Sequence, residues 1–117
     1  MSYFVTRTTP MTIEGAWLTV QKDMQFHSDK LGILTVPRRF RFDGATIPRI
    51  FWSLVGAPAS EGNRRAAALH DMCYRYHLFP RKACDILLED ALKCDGKKWL
   101  TRKMMYYAVR LFAKGHY

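Results

Sequence analysis

At 117 residues, with 49% of them hydrophobic, 14% aromatic and 25% charged, the chain has the size and composition of one folded domain and excludes a disordered segment. No run approaches the roughly 20 apolar residues of a membrane helix, and Met1 to Pro10 carries no apolar stretch behind a basic start, so neither a spanning segment nor a secretory leader is expected. Nineteen Lys and Arg against ten Asp and Glu leave a net charge of +9, which favours an acidic partner such as nucleic acid, phospholipid headgroups or a cell-wall polymer, the plain alternative being a basic surface that aids solubility.

The first half reads as strands. "YFVTRT" (3–8), "AWLTV" (16–20), "MQFH" (24–27), "GILTV" (32–36) and "FRFD" (40–43) are short β-rich pieces separated by Pro10, Gly15, the turn "HSDKLG" and Pro37. The turn from His27 to Gly32 predicts a hairpin. After Pro48 the signal changes to helix. Ile50, Phe51, Leu54 and Val55 recur at helical spacing in a short first helix that "GAPASEGN" (56–63) breaks. Further helices are expected over 64–76, 81–94 and about 101–114, with Pro80 opening the third of the four and Gly96 following its end. The fold class that follows is α+β: a small, mostly antiparallel sheet from the N-terminal half, with three to four helices from the C-terminal half packed on it, in a single domain over 1–117.

Three cysteines, Cys73, Cys84 and Cys94, make no CxxC pair. Their odd number argues against a disulfide framework, so thiols in a reducing compartment, the cytoplasm, are expected. No zinc-finger spacing and no aromatic-studded RNA-recognition motif is present.

On a helical wheel of 64–76, Ala66, Leu69, Met72, Cys73 and Tyr76 share one broad face, while Arg64, Asp71 and Arg75 fall opposite. His70 sits at the margin, where it is expected to be part-buried. In 81–94 the apolar face is Cys84, Leu87, Leu88, Ala91 and Leu92, with Asp85 at its edge and Arg81 one turn earlier, at ion-pair spacing. An antiparallel hairpin about "HLFP" (77–80) puts His70 and Asp85 at nearly the same height, roughly 10 Å from the turn at about 1.5 Å rise per residue. A carboxylate bonded to one imidazole nitrogen fixes the tautomer and makes the other nitrogen more basic, ready to take a proton or bind a metal. A buried polar pair that only satisfies itself is the structural counterpart of that reading. Asp43 and Thr46, in "FDGATIPR", belong to a turn whose groups either face a ligand or cap a helix.

"VPRRFRFDGATIPRIFW", "AAALHDMCYRY", "RKACDILLEDAL" and "YYAVRLFAKG", in this order, resemble the phage and prophage family catalogued as domain of unknown function 1353. The resemblance covers about Leu34 to Gly115 and singles out Asp43, Thr46, Pro48, His70, Asp71, Tyr74, Arg81, Asp85 and Arg110. The chain departs from the family pattern at Cys84, where alanine is usual, and at Lys114-Gly115 in the tail. It implies a phage-encoded protein, acting in the host cytoplasm during infection or carried in the virion. Locally, "HDMCY" is similar to the His-Asp helix of secreted phospholipase A2. That likeness implies a histidine that activates water, an adjacent aspartate that binds calcium, and a later helix that supplies an aspartate to the histidine, roles matching His70, Asp71 and Asp85. The glycine-rich calcium loop and the disulfides of that enzyme are not expected here.

The leading expectation is a small phage-encoded hydrolase. His70 is the general base and Asp85 orients it; Asp71 or Asp43 serves as metal ligand or electrostatic partner, and Tyr74, Thr46, Arg81 and Arg110 complete the binding set. Oxygen ligands favour calcium or magnesium over zinc, and the substrate would be a phospholipid or a cell-wall component. The competing expectation is a non-enzymatic virion or tail-associated part, or a factor that binds a host protein, with His70, Asp85, Arg81 and Arg110 as a structural network. Nucleic-acid binding through Arg38, Arg39, Arg41, Arg64, Arg65, Lys97 and Lys98 is a third, and predicts a steep salt dependence. An enzyme should open His70 and Asp85 to a pocket; a structural network should close them to solvent.

Overall fold

The computed structural model describes residues 1–6, 9–15, 17–43, 52 and 62–117. Six strands come first among the described residues: β1 (Tyr3–Phe4), β2 (Met11–Glu14), β3 (Trp17–Val20), β4 (Met24–Ser28), β5 (Gly32–Val36) and β6 (Arg41–Phe42). Three helices follow among the described residues: α1 (Arg64–Tyr76), α2 (Arg81–Cys94) and α3 (Trp99–Phe112), and a single 3₁₀ turn at Lys114–His116 closes the chain. The class is α+β, as the sequence predicts. The helix expected after Pro48 lies outside the described residues.

The strands form two antiparallel three-stranded sheets, ordered β1-β4-β5 and β2-β3-β6, in place of the single sheet expected. The β4–β5 hairpin forms at the predicted turn, with Ser28 opposite Gly32. Gly32 has a φ of 81°, a left-handed conformation that glycine adopts without steric cost, and the Ser28 hydroxyl accepts the Leu31 N–H inside the turn. The register sets Met24 opposite Val36 and Phe26 opposite Leu34, and all four side chains are buried. In the second sheet Leu18 faces Phe42 on the same principle.

Two strand expectations change. β2 is absent from the predicted set although "MTIE" alternates apolar and polar residues; Met11–Glu14 is almost wholly exposed and is held as a strand by its pairing with β3. β1 is shorter than "YFVTRT" implies. The N–H groups of Val5 and Thr6 both turn to the Gln25 carbonyl, which breaks the one-to-one pairing after Phe4.

Helices α1 and α2 occupy the predicted spans, since their ends are set locally. α1 ends in a Schellman motif, with His77 N–H bonded to the Tyr74 carbonyl and Leu78 N–H to that of Cys73. His77 is left-handed there, at φ 48°. Pro80 then fixes the entry to α2. The core joins the inward faces of both sheets to α1, to the predicted apolar face of α2, and to Met105 and Val109 of α3. Arg65 ties α1 to the first sheet: its guanidinium lies 3.8 Å from the Phe4 ring centroid, donates to the Thr6 carbonyl, and is ion-paired with Asp95.

Candidate functional site

α1 is buried on every side from Ala66 to Tyr74, so the wheel's division into inner and outer faces does not hold for its middle. His70, expected at a margin, is 0% exposed, and so is Asp85. Asp71, expected on the outer face, is buried as well, whereas Tyr76, assigned to the inner face, is exposed. The physical reason is position: α1 is the central helix, and a helix covered on all sides buries whatever lies around it.

The α1–α2 hairpin brings His70 and Asp85 together as its geometry predicts. His70 Nε2 lies 2.7 Å from Asp85 Oδ1. The Tyr74 hydroxyl donates to the same oxygen at 2.6 Å. From α3, Arg110 donates to Asp85 Oδ2 at 3.0 Å, its side chain 29% exposed. One buried carboxylate thus gathers a histidine and a tyrosine from α1 and an arginine from α3.

The predicted pairing of Arg81 with Asp85 is replaced. Arg81 donates to the carbonyls of Val109 and Arg110 in the last turn of α3, where carbonyls run short of intrahelical donors, the Val109 carbonyl also accepting the Ala113 N–H. It thereby holds the turn that carries Arg110. Tyr117 returns over the site: its ring stands edge-on to Tyr74 at 5.2 Å and its hydroxyl donates to the Phe79 carbonyl.

Electrostatics follow from these contacts. Burial alone would raise the Asp85 carboxyl, but the hydrogen bonds from His70 and Tyr74, the charge of His70 and the bond from Arg110 outweigh it, and the group is held below the usual carboxylate range. Burial is also the main reason that the Tyr74 hydroxyl is pushed well above its ordinary value, with the bond to Asp85 and that carboxylate's charge adding to it and Arg81 opposing. Asp85 is therefore an ionised acceptor and Tyr74 a proton-bearing donor. With the carboxylate as its partner, His70 carries a proton on Nε2.

The cysteines correct the sequence reading. Cys73 and Cys84 are joined in a disulfide, with their Cα atoms 5.8 Å apart, and Cys94 is free. An odd count forbids only a fully paired set. Cys73 lies one turn after His70 and Cys84 directly precedes Asp85, so the bond clamps α1 to α2 beside the His70–Asp85 pair.

The remaining predicted residues stand apart. Asp43 follows β6 and is half-buried. Asp43, His70 and Asp71 are all engaged in further contacts, while Thr46 and Pro48 lie outside the described residues. No three His, Cys, Asp or Glu side chains among the described residues converge to hold a metal. Sequence reasoning missed Tyr117 and the disulfide. The cysteines did carry a signal, because Cys73 and Cys84 are equally far from the centre of "HLFP".

No described helix is long and apolar enough to cross a membrane. The sequence model of the family described as "Protein of unknown function (DUF1353)" matches residues 18–109. The chain is similar to two proteins of Sinorhizobium fredii (strain NBRC 101917 / NGR234). It is 33% identical to "Uncharacterized protein y4iH" over 70 residues, 60% of this chain and 29% of the relative. It is 33% identical to "Uncharacterized protein y4jT" over 79 residues, 66% of this chain and 23% of that relative. The chain thus spans under a third of the length of these curated relatives. No solved structure matches.

Proposed function

Because this chain belongs to the DUF1353 family, whose description assigns no reaction, its function has to be read from its own side chains, and we propose a hydrolase in which His70 activates water. The observation that carries this is the bond from His70 Nε2 to an ionised Asp85 that Tyr74 and Arg110 hold from two further directions. A carboxylate fixed by three donors cannot turn away from the imidazole. It orients the ring and stabilises the imidazolium formed when His70 takes a proton.

The reaction is addition of water to an ester carbonyl. As the water oxygen bonds to the carbonyl carbon, its proton passes to the His70 imidazole; when the carbon–oxygen bond to the leaving group breaks, the proton passes on to the leaving oxygen. Asp85 stays ionised throughout. The likeness of "HDMCY" to the His-Asp helix of secreted phospholipase A2, which implies a water-activating histidine and a later aspartate that orients it, supports this reading. The substrate class is phospholipid or, in the phage setting that the family resemblance implies, a cell-wall ester. No step is assigned to a metal.

The test is hydrolysis of short-chain phospholipids and aryl esters by wild type and His70→Asn, with folding of both checked by circular dichroism. We expect His70→Asn to lose a factor of about 10²–10⁴ in rate, the usual contribution of a general base. A folded wild type that hydrolyses none of these esters, or a variant as fast as wild type, overturns the proposal.

One observation favours a second reading. His70 and Asp85 are both closed to solvent, the outcome expected of a structural network and not of a pair opened to a pocket. This suits a network that holds α1, α2 and α3 together in a non-enzymatic phage component that binds a host protein or sits in the virion. Under it, His70→Asn lowers stability and no ester is cleaved.

A further inference from the structure

Residues 97–117 hold six of the chain's nineteen Lys and Arg and none of its ten Asp and Glu. Within that segment α3 buries Met105, Ala108 and Val109. Its opposite side leaves large apolar side chains in water: Trp99 is 63% exposed, Leu100 64%, Tyr107 59% and Leu111 71%. Leu100, Lys103, Tyr107 and Leu111 recur at the spacing that forms one stripe along a helix. Lys98 and Lys114 supply exposed cations at its two ends, while Lys103 is paired with Glu89 and Arg110 with Asp85. Lone exposed apolar residues are ordinary, but a continuous stripe marks a surface that meets something.

We propose that this face of α3 docks the protein on an anionic phospholipid bilayer, with Leu100, Tyr107 and Leu111 entering the headgroup region and the surrounding cations meeting lipid phosphates. A helix that carries an apolar face ringed by Lys and Arg, with aromatic residues at its border, has the composition of one lying in the membrane interface. Charge complementarity selects the occupant. A nucleic acid would neutralise the cations and leave both leucines in water, whereas an anionic bilayer satisfies both at once. The lysine stems suit the boundary, since they lie along apolar surface with the ammonium groups in water. Arg110 belongs to the same helix and reaches Asp85, so docking would set the proposed site close to the lipid. That last link rests on the hydrolase reading; the docking does not.

The experiment is co-sedimentation of the full chain with vesicles of phosphatidylcholine alone and of phosphatidylcholine mixed with phosphatidylglycerol, at low and high salt. Wild type should pellet with the anionic vesicles, several-fold less as salt rises, and the emission of Trp99 should shift to the blue, a shift that Trp99→Phe removes. Leu100→Asp with Leu111→Asp should weaken binding by at least about tenfold. Lys98→Gln with Lys114→Gln should weaken it by roughly twentyfold, about fivefold for each cation near an anionic surface. All four positions are exposed, so these variants should melt like wild type, and a variant that does not is replaced by Leu→Ser at the same positions. Absence of pelleting by wild type, or equal pelleting by the leucine variant, overturns the proposal. So does tight duplex DNA binding without vesicle binding, or a wild-type dimer that the leucine changes dissociate, which would give the face to a second copy. Pelleting needs no catalysis, so a chain that binds vesicles and cleaves no ester refutes the hydrolase reading alone.

Discussion

Asp85→Asn probes the site most directly. The carboxylate is 0% exposed and accepts from His70, Tyr74 and Arg110. An amide of the same shape keeps one acceptor oxygen but turns an N–H toward a former donor. A hydrogen bond to a charged group contributes about 1.5–3 kcal/mol, and removing one member of a buried ion pair costs about 3–5 kcal/mol. Arg110 is partly exposed and can turn to water, so the lower end applies, about 3 kcal/mol. For a chain of this length, that is roughly 10 °C in melting midpoint.

The pH dependence fixes the cause. Because the folded state holds the Asp85 carboxyl below its usual range, its contribution is fully present above the unfolded value near 3.9 and is lost as pH falls through the folded value. Urea unfolding of wild type and Asp85→Asn at pH 7 and at successively lower pH should show a gap that is constant near neutrality and closes only below about pH 4. A gap under about 1 kcal/mol at pH 7, or one that stays the same down to pH 2, would show that the ionised carboxylate is not what holds the three helices.

Other outcomes follow from the same contacts. Tyr74→Phe removes one of three donors to Asp85 and should cost about 1–2 kcal/mol in urea unfolding, with the His70–Asp85 bond kept and ester hydrolysis reduced far less than in His70→Asn. Reducing the Cys73–Cys84 bond, which closes a short loop of sequence separation 11, should lower stability by about 3 kcal/mol, read as a fall in melting midpoint with dithiothreitol that Cys73→Ser/Cys84→Ser does not show. Arg81→Met should leave the final carbonyls of α3 short of donors, at a cost of about 1–3 kcal/mol. The effect is local, so amide exchange should speed up most from Val109 to Ala113; unchanged exchange there would mean that Arg81 does not hold the turn that carries Arg110.

Much of this protein is legible in its sequence, because much of it is local. Pro80, the run of apolar positions and the short "HLFP" link bound α1 and α2, and the same hairpin arithmetic pairs His70 with Asp85 from spacing alone. Applied to the cysteines, that arithmetic pairs Cys73 with Cys84 as well, a pairing that their odd number conceals. What the sequence could not decide was depth and closure. Helical periodicity tells which side chains share a face, but not how many neighbours cover the helix, and so Asp71 and His70 are more buried than their positions on the wheel suggest. Arg110 reaches Asp85 across 25 residues and Tyr117 reaches Phe79 across 38. Contacts at such separations are chosen by how whole elements pack, which leaves no spacing in the chain to read; Tyr74 joins the histidine–aspartate pair within the α1–α2 hairpin, and the packing of α3 adds Arg110 as the fourth side chain.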